Sequence, residues 1–252
     1  MSAAARSIVG RQHGGAPPQL GTYWRMAREP LHCLAFLLPL VATYEGGVLL
    51  LRPGGWPAQR LVAQRLLQQL GAWIGADAVW APGAALLLTL LAWHCLRGRP
   101  WRVRAWVPAL MAVESLALTL PLFALGRLLV QTTATGTTGR ELPARIVLGL
   151  GAGVYEELVF RFYLIGGLLL LLARVCRVPR RPALTAAVTL ATLAFAGCHF
   201  TPVGSESPSW RLFAMLAAGG GYLSAVYVLR GLGICTGCHA AYNVLSVLMN
   251  GG

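Results

Sequence analysis

The chain is a succession of long apolar stretches separated by short polar connectors. A helix of about 20 residues crosses the hydrocarbon core of a bilayer, and seven stretches are apolar enough to do so. They lie near residues 31–51, 81–97, 105–130, 144–173, 182–200, 209–229 and 232–250. The second is short and the fourth is long. The pattern predicts an all-α fold, a polytopic transmembrane helical bundle with about seven spans.

The connectors suggest how the chain is organised. Residues 1–30 contain four arginines and no long apolar run, and we expect a flexible basic tail there. Residues 31–143 are predicted to form N-terminal transmembrane helices, and residues 144–252 a transmembrane core. Between the first two spans, residues 56–76 combine leucines with two arginines, which suits a helix that lies in the membrane interface.

Composition supports a membrane protein and excludes a nucleic-acid binder. Of the 252 residues, 56% are hydrophobic and only 12% are charged. The net charge of +13 comes from 21 basic residues, all of them arginine. They lie in connectors rather than in a stripe interleaved with aromatic residues, so membrane lipids and not nucleic acid are the expected partners. The six cysteines lie mostly in or beside apolar stretches and imply no disulfide framework.

Arginine placement predicts the orientation of the bundle. The segment before the first span, the connector after the second and the connector after the fourth each carry four arginines, and the alternate connectors carry fewer. These three segments fall on one side if seven spans are right. The positive-inside rule then places the N-terminus in the cytoplasm of a multi-pass cell-membrane protein.

Charged residues interrupt the fourth span. A charge within the bilayer is costly and tends to persist only where it has a function. Glu157 and Arg161 are four residues apart, share one helix face and can neutralise each other. Glu156 is rotated by about 100° from Glu157 on a helix and is free to face a cavity as a general base.

Two later spans carry further polar side chains. His199 closes the fifth span, and His239 and Asn243 share one face of the last. Imidazoles, carboxylates and an amide on apolar helices can activate water and stabilise an oxyanion, which is hydrolase chemistry. His239 follows Arg230 by only nine residues. We therefore expect the last hairpin to be tilted, or displaced along the membrane normal, so that His239 reaches the other groups.

The ordered set Glu156-Glu157-x-x-x-Arg161, Phe195-x-x-x-His199 and His239-x-x-x-Asn243 resembles the CPBP family of intramembrane proteases. This family contains the type II CAAX prenyl endopeptidases and the bacteriocin-processing Abi proteins. The resemblance covers residues 144–250 and implies an intramembrane endopeptidase that cleaves a membrane-associated protein or peptide. It implies that Glu156 activates water with help from His199, that His239 and Asn243 bind the oxyanion, and that Glu157 with Arg161 is architectural or a secondary catalytic element.

The resemblance leaves the use of a metal open. Family members are often called metalloproteases, and His199, His239 and Glu156 would hold Zn²⁺ if a metal is used. A metal-free glutamate mechanism fits the same residues, and the His-Glu-x-x-His zinc motif is absent. We therefore expect no obligatory cofactor.

Two other functions are consistent with parts of the sequence. A transporter also uses intramembrane carboxylates and histidines for proton or ion coupling, and Glu45 and Glu114 add to that set. We nevertheless expect these two glutamates to be paired structurally, with Arg127 as a candidate partner. The run Cys235-Thr236-Gly237-Cys238-His239 matches the attachment pattern of c-type haem. It enters an apolar span on the predicted cytoplasmic side, which disfavours haem.

Overall fold

A computed structural model of the protein describes residues 20–51, 66, 81–129, 142–201 and 209–250. All secondary-structure elements in these ranges are helices. Six of the helices are long and apolar enough to cross a membrane, and the helix that ends at Arg97 is shorter, with 17 residues. The predicted all-α bundle with about seven spans is confirmed. The helices are α1 Leu20–Met26, α2 Pro30–Leu51, α3 Ala81–Arg97, α4 Trp106–Leu129, α5 Leu142–Val175, α6 Arg180–Cys198, α7 Trp210–Arg230 and α8 Leu232–Asn250.

The end of the predicted flexible tail is ordered. Residues 20–26 form α1, in which Tyr23 is buried and donates a hydrogen bond of 2.6 Å to Glu114. Ala27 is fully buried. Within the predicted tail, this short segment is therefore held against the bundle by one buried aromatic side chain and its partly buried partner. Residues 1–19 and the predicted interfacial helix at 56–76, apart from Leu66, lie outside the described residues.

Helix α5 changes its winding at the residues singled out by the sequence. It is α-helical from Leu142 to Glu156, π-helical from Glu157 to Ile165, α-helical again to Leu170 and π-helical to Val175. π-Helical turns are wider than α-helical ones and occur frequently at functional sites. The change falls between the two adjacent glutamates.

Helix α8 is the centre of the bundle and packs against α2, α4, α5 and α7. Small residues allow this close packing. A Cβ atom on Gly153 of α5 would lie 2.5 Å from the backbone nitrogen of Ala240, and one on Gly237 of α8 would lie 2.5 Å from the hydroxyl oxygen of Ser115 on α4. Glycine at such contacts lets helix backbones approach each other within a membrane.

The turn between α7 and α8 is recessed into the bundle. Tyr227, near the end of α7, packs against the cluster formed by Ile165, Ala187 and Ala191. Ile165 precedes the end of α5 at Val175 by ten residues, or about 15 Å of helix. The expected displacement of the last hairpin is therefore present, and it raises His239 to the level of the fourth and fifth spans.

The two intramembrane carboxylates outside the motifs are paired. Glu114 accepts hydrogen bonds from Arg230 and Tyr23, and Glu45 accepts one from Tyr155. Arg127 is exposed and is not the partner of Glu114. The pairing was predicted correctly, but the partners come from helices far away in the sequence.

Candidate active site

The two adjacent glutamates lie side by side within the membrane-spanning part of α5. Glu156 is 5% exposed and Glu157 is completely buried. Because the helix rotates between successive residues, the two carboxylates point in different directions and meet different partners. Glu157 faces Arg161 and α8, whereas Glu156 faces the two motif histidines.

Glu157 is held by three side chains. The guanidinium of Arg161 lies 3.0 Å from its Oε1, and the Nδ1 of His239 lies 2.7 Å from the same oxygen. The thiol of Cys235 donates to Oε2 at 2.9 Å. A buried carboxylate is tolerated when a positive charge and hydrogen bonds compensate its desolvation, and here both are present.

Arg161 is fixed from several directions. Besides its ion pair with Glu157, its Nη2 donates to the carbonyl oxygen of Gly220 at 3.2 Å. Its guanidinium lies 4.4 Å from the centre of the Phe195 ring. A Cβ on Gly220 would come within 2.9 Å of the same ring, so the glycine makes room for this stack. Helices α5, α6 and α7 are thus joined at one cation.

His239 connects the two glutamates. Its Nδ1 contacts Glu157, and its Nε2 lies 3.9 Å from Oε2 of Glu156. An ionised carboxylate only accepts hydrogen bonds, so the Nδ1 of His239 carries the hydrogen in this contact. Glu157 therefore fixes the orientation and the tautomer of the ring, as carboxylates do for catalytic histidines in other enzymes. When the ring is protonated, Nε2 also donates.

His199 approaches Glu156 from the other side. Its Nε2 lies 4.0 Å from Oε1 of Glu156, and its Nδ1 lies 2.8 Å from the carbonyl oxygen of Phe195. A carbonyl oxygen accepts only, so Nδ1 bears the hydrogen and Nε2 of the neutral ring bears a lone pair. The carboxylate of Glu156 is therefore flanked by one imidazole nitrogen on each side.

Asn243 lies one turn beyond His239 on α8, but its recorded contact is different. Its Nδ2 donates to the carbonyl oxygen of Gly149 at 3.1 Å. Five of the six predicted site residues, Glu156, Glu157, Arg161, His199 and His239, form one connected cluster. Asn243 lies beside this cluster, with its amide held by α5.

An apolar cavity of about 60 Å³ reaches the cluster from between α4, α7 and α8. Leucines and glycines line most of it, and His239 and Phe195 form its inner end. The cavity gives an apolar group direct access to the imidazole.

The residues expected to hold zinc, His199, His239 and Glu156, face one another, but the nitrogen to oxygen separations are 4.0 and 3.9 Å. Ligands about 2.0–2.1 Å from a tetrahedral zinc ion would be closer to each other than this. Within the described ranges, no group of three His, Cys, Asp or Glu side chains has the spacing of a metal site.

Sequence reasoning missed Cys235. This thiol is buried and bonds both to Glu157 and, at 3.1 Å, to the carbonyl oxygen of Leu223. Its position four residues before His239, on the same face of α8, was the signal that connected it to the site. The haem reading of Cys235 and Cys238 meets the difficulty that both cysteines are fully buried.

The fold and the site together define an integral membrane protein whose apolar helices enclose a set of groups for acid and base chemistry. Residues 138–245 match the family model described as Rce1-like, type II CAAX prenyl endopeptidase. This part of the chain, which holds every residue of the cluster, is similar to the CPBP family of intramembrane proteases. The match supports an intramembrane CAAX-type endopeptidase, a hydrolase, in general. Neither the curated proteins nor the solved structures contain a match to the chain.

Proposed function

We propose that the protein hydrolyses a peptide bond in a membrane-associated protein or peptide, with Glu156 as the general base. The observation that supports this most directly is the position of the Glu156 carboxylate between the Nε2 atoms of His199 and His239, at 4.0 and 3.9 Å. These separations are too long for direct hydrogen bonds and are suited to a bridging water.

The nucleophile in this proposal is a water between Glu156 and His199. Both Glu156 Oε1 and the Nε2 of neutral His199 accept hydrogen bonds, so one water can donate a hydrogen to each. Its oxygen then directs a lone pair at the carbonyl carbon of the substrate. Glu156 takes a proton as the carbon–oxygen bond forms, and it later delivers the proton to the amine nitrogen as the carbon–nitrogen bond breaks.

His239 and Asn243 stabilise the oxyanion in the same proposal. Protonated His239 donates through Nε2 because Nδ1 is occupied by Glu157, and Asn243 retains a second Nδ2 hydrogen beside the one given to Gly149. Charge balance supports a protonated His239. Glu156, Glu157 and Arg161 together carry one negative charge, and the imidazolium neutralises it in a buried site.

The substrate is proposed to be apolar near the scissile bond, because the small cavity that reaches His239 is lined mainly by leucines and glycines. A prenylated peptide ending in Cys-a-a-X is the first probe, as suggested by the description of the matched family. We retain the cell membrane as the location and the cytoplasmic side for the N-terminus, from the placement of the arginines.

The proposal is tested with purified protein in proteoliposomes that also contain a panel of membrane-anchored peptides, with and without a prenyl group. Cleavage products are identified by mass spectrometry. Glu156→Gln removes the base with little change in shape, and we expect the rate to fall by about 10²–10⁴-fold, the usual contribution of general base catalysis. Because the panel is limited, membranes carrying wild-type or Glu156→Gln protein are also compared by proteomics for uncleaved precursors.

A matched control is Glu114→Gln, which makes the same chemical change at a paired carboxylate outside the cluster. Its cleavage rate per folded molecule should equal that of the wild type. Normal cleavage by Glu156→Gln would refute the mechanism. An ion or proton flux that depends on Glu156, without cleavage products in either experiment, would favour the transporter instead.

A further inference from the structure

A second and much larger cavity, of about 690 Å³, lies at the end of the bundle where α1, the end of α3, the start of α6 and the turn between α7 and α8 meet. It is separate from the catalytic cluster. Its wall reaches Ile165, nine residues after Glu156 on α5, or about 13 Å of helix. Six arginines line it, namely Arg25, Arg28, Arg97, Arg99, Arg180 and Arg230.

We call this cavity the arginine pocket. Its six arginines have few partners of opposite charge. Arg25, Arg99 and Arg180 have no carboxylate within 4.0 Å among the described residues. Glu29 also lines the cavity and supplies one negative charge against the six arginines. Like charges at close range repel, so the pocket is suited to a ligand that brings negative charge.

Arg230 adds a buried donor to the pocket. Its guanidinium pairs with Glu114 through Nε and Nη2 and stacks on Trp24, with 4.4 Å to the ring centre. The residue is only 7% exposed, and its Nη1 is buried without a hydrogen-bond partner among the described groups. A buried donor without a partner is costly, and this nitrogen would gain a hydrogen bond from any anion that reached it.

The rest of the described residues offer little charge to neutralise the pocket. Five of the eight acidic residues are described, and apart from Glu29 they are paired with other groups or belong to the catalytic cluster. The other three, Asp77, Glu141 and Glu206, lie outside the described residues. Residues 1–19 contain two arginines and no acidic residue.

The remaining walls of the pocket are apolar. Trp24 and Trp93 lie beside the arginines, and Leu169 and Leu184 continue the wall along α5 and α6. The turn at Gly231, which forms part of the pocket, is recessed from the end of α5. A group that binds here therefore needs both an anionic head and an apolar tail, and arginines with aromatic residues at this level match the interface of a membrane.

We propose that the arginine pocket is a binding site for one anionic phospholipid. The phosphate accepts hydrogen bonds from the arginine guanidinium groups, and the acyl chains lie along Leu169 and Leu184. The volume is within the range of sites for small amphiphilic ligands. The basis is charge complementarity together with the apolar wall, and it does not depend on the proposed catalytic mechanism.

The test uses full-length protein purified in neutral detergent and titrated with phosphatidylglycerol that carries brominated acyl chains. Bromine quenches tryptophan fluorescence at short range, and Trp24 and Trp93 line the pocket. We expect saturable quenching at low lipid concentration, with one lipid retained per protein in native mass spectrometry. Brominated phosphatidylcholine and inorganic phosphate serve as the neutral-lipid and free-anion probes.

The variant Arg99→Gln/Arg180→Gln removes two charges from the pocket. Its matched control, Arg102→Gln/Arg181→Gln, removes two charges from exposed neighbours that do not line the pocket. Phosphatidylglycerol affinity should fall about ten-fold or more in the first and less than three-fold in the second, because direct charge-assisted bonds are stronger than a general surface field.

Equal losses in both double variants would overturn the proposal, since they would reflect surface charge alone. Equal binding of phosphatidylcholine would also overturn it, as would displacement of the lipid by inorganic phosphate at the same concentration. Near-ultraviolet circular dichroism of each variant in neutral detergent is measured first. If the first variant does not fold, the single variants Arg99→Gln and Arg180→Gln are used, each expected to lose about three-fold or more.

Discussion

The ion pair between Glu157 and Arg161 yields a quantitative prediction about stability. Both side chains are almost completely buried, with exposures of 0% and 1%, and they are 3.0 Å apart. Arg161→Met keeps much of the side-chain volume but leaves the Glu157 carboxylate without its positive partner. Breaking one side of a buried pair costs about 3–5 kcal/mol.

Contacts in the structure both reduce and increase this loss. Glu157 keeps two hydrogen-bond donors in the variant, His239 and Cys235. Arg161→Met also loses the hydrogen bond to Gly220 and the stack on Phe195, each of which contributes about 1 kcal/mol. Methionine packing against the same ring recovers part of this. We therefore expect a loss of about 3–5 kcal/mol.

The assay is equilibrium unfolding in mixed micelles with increasing mole fraction of sodium dodecyl sulfate, followed by far-ultraviolet circular dichroism. Arg127→Met is the matched control, because Arg127 is exposed, and it should change stability by less than about 0.5 kcal/mol. A double-mutant cycle with Glu157→Gln isolates the pair. The double variant should lose less unfolding free energy than the two single variants lose together, and the difference should be about 2 kcal/mol or more. Additive losses, or wild-type stability of Arg161→Met, would refute the reasoning.

Three further predictions concern the site and its supports. His199→Ala should lower the cleavage rate by about 10²-fold or more without changing the unfolding midpoint. Its side chain contacts only the end of α6 and Glu156 among the described residues. A rate near that of the wild type would remove His199 from the proposed mechanism. Gly153→Val should prevent close packing of α5 on α8 and reduce both stability and activity, because a Cβ there meets the backbone of Ala240 at 2.5 Å. Gly166→Ala should have little effect, because a Cβ there has nothing within 4 Å. Equal stability of the two variants would contradict this packing. Full activity after exhaustive chelation, with less than one zinc per protein by elemental analysis, is expected of the glutamate mechanism; loss of activity that Zn²⁺ restores would instead support the metal.

Local spacing predicted which charged side chains share a helix face, but it did not predict their partners on other helices. Spacing alone paired Glu157 with Arg161 and separated Glu156 from Glu157, and the structure has both features. The contact between His239 and Glu157 was not foreseen, because their sequence positions are 82 apart and no local rule connects them. For the same reason Arg127 was proposed for Glu114, whereas the observed partner Arg230 is 116 residues away.

By itself, the sequence determined that the chain is a membrane bundle and which spans carry charge, because hydropathy and helical period depend only on local order. The tertiary structure decided how the spans meet. The recessed turn between α7 and α8 and the close contact of Gly153 with Ala240 place His239 between the two glutamates. The arginine pocket likewise arises from helix ends distant in sequence. Such contacts depend on packing between helices, which no single stretch of sequence specifies.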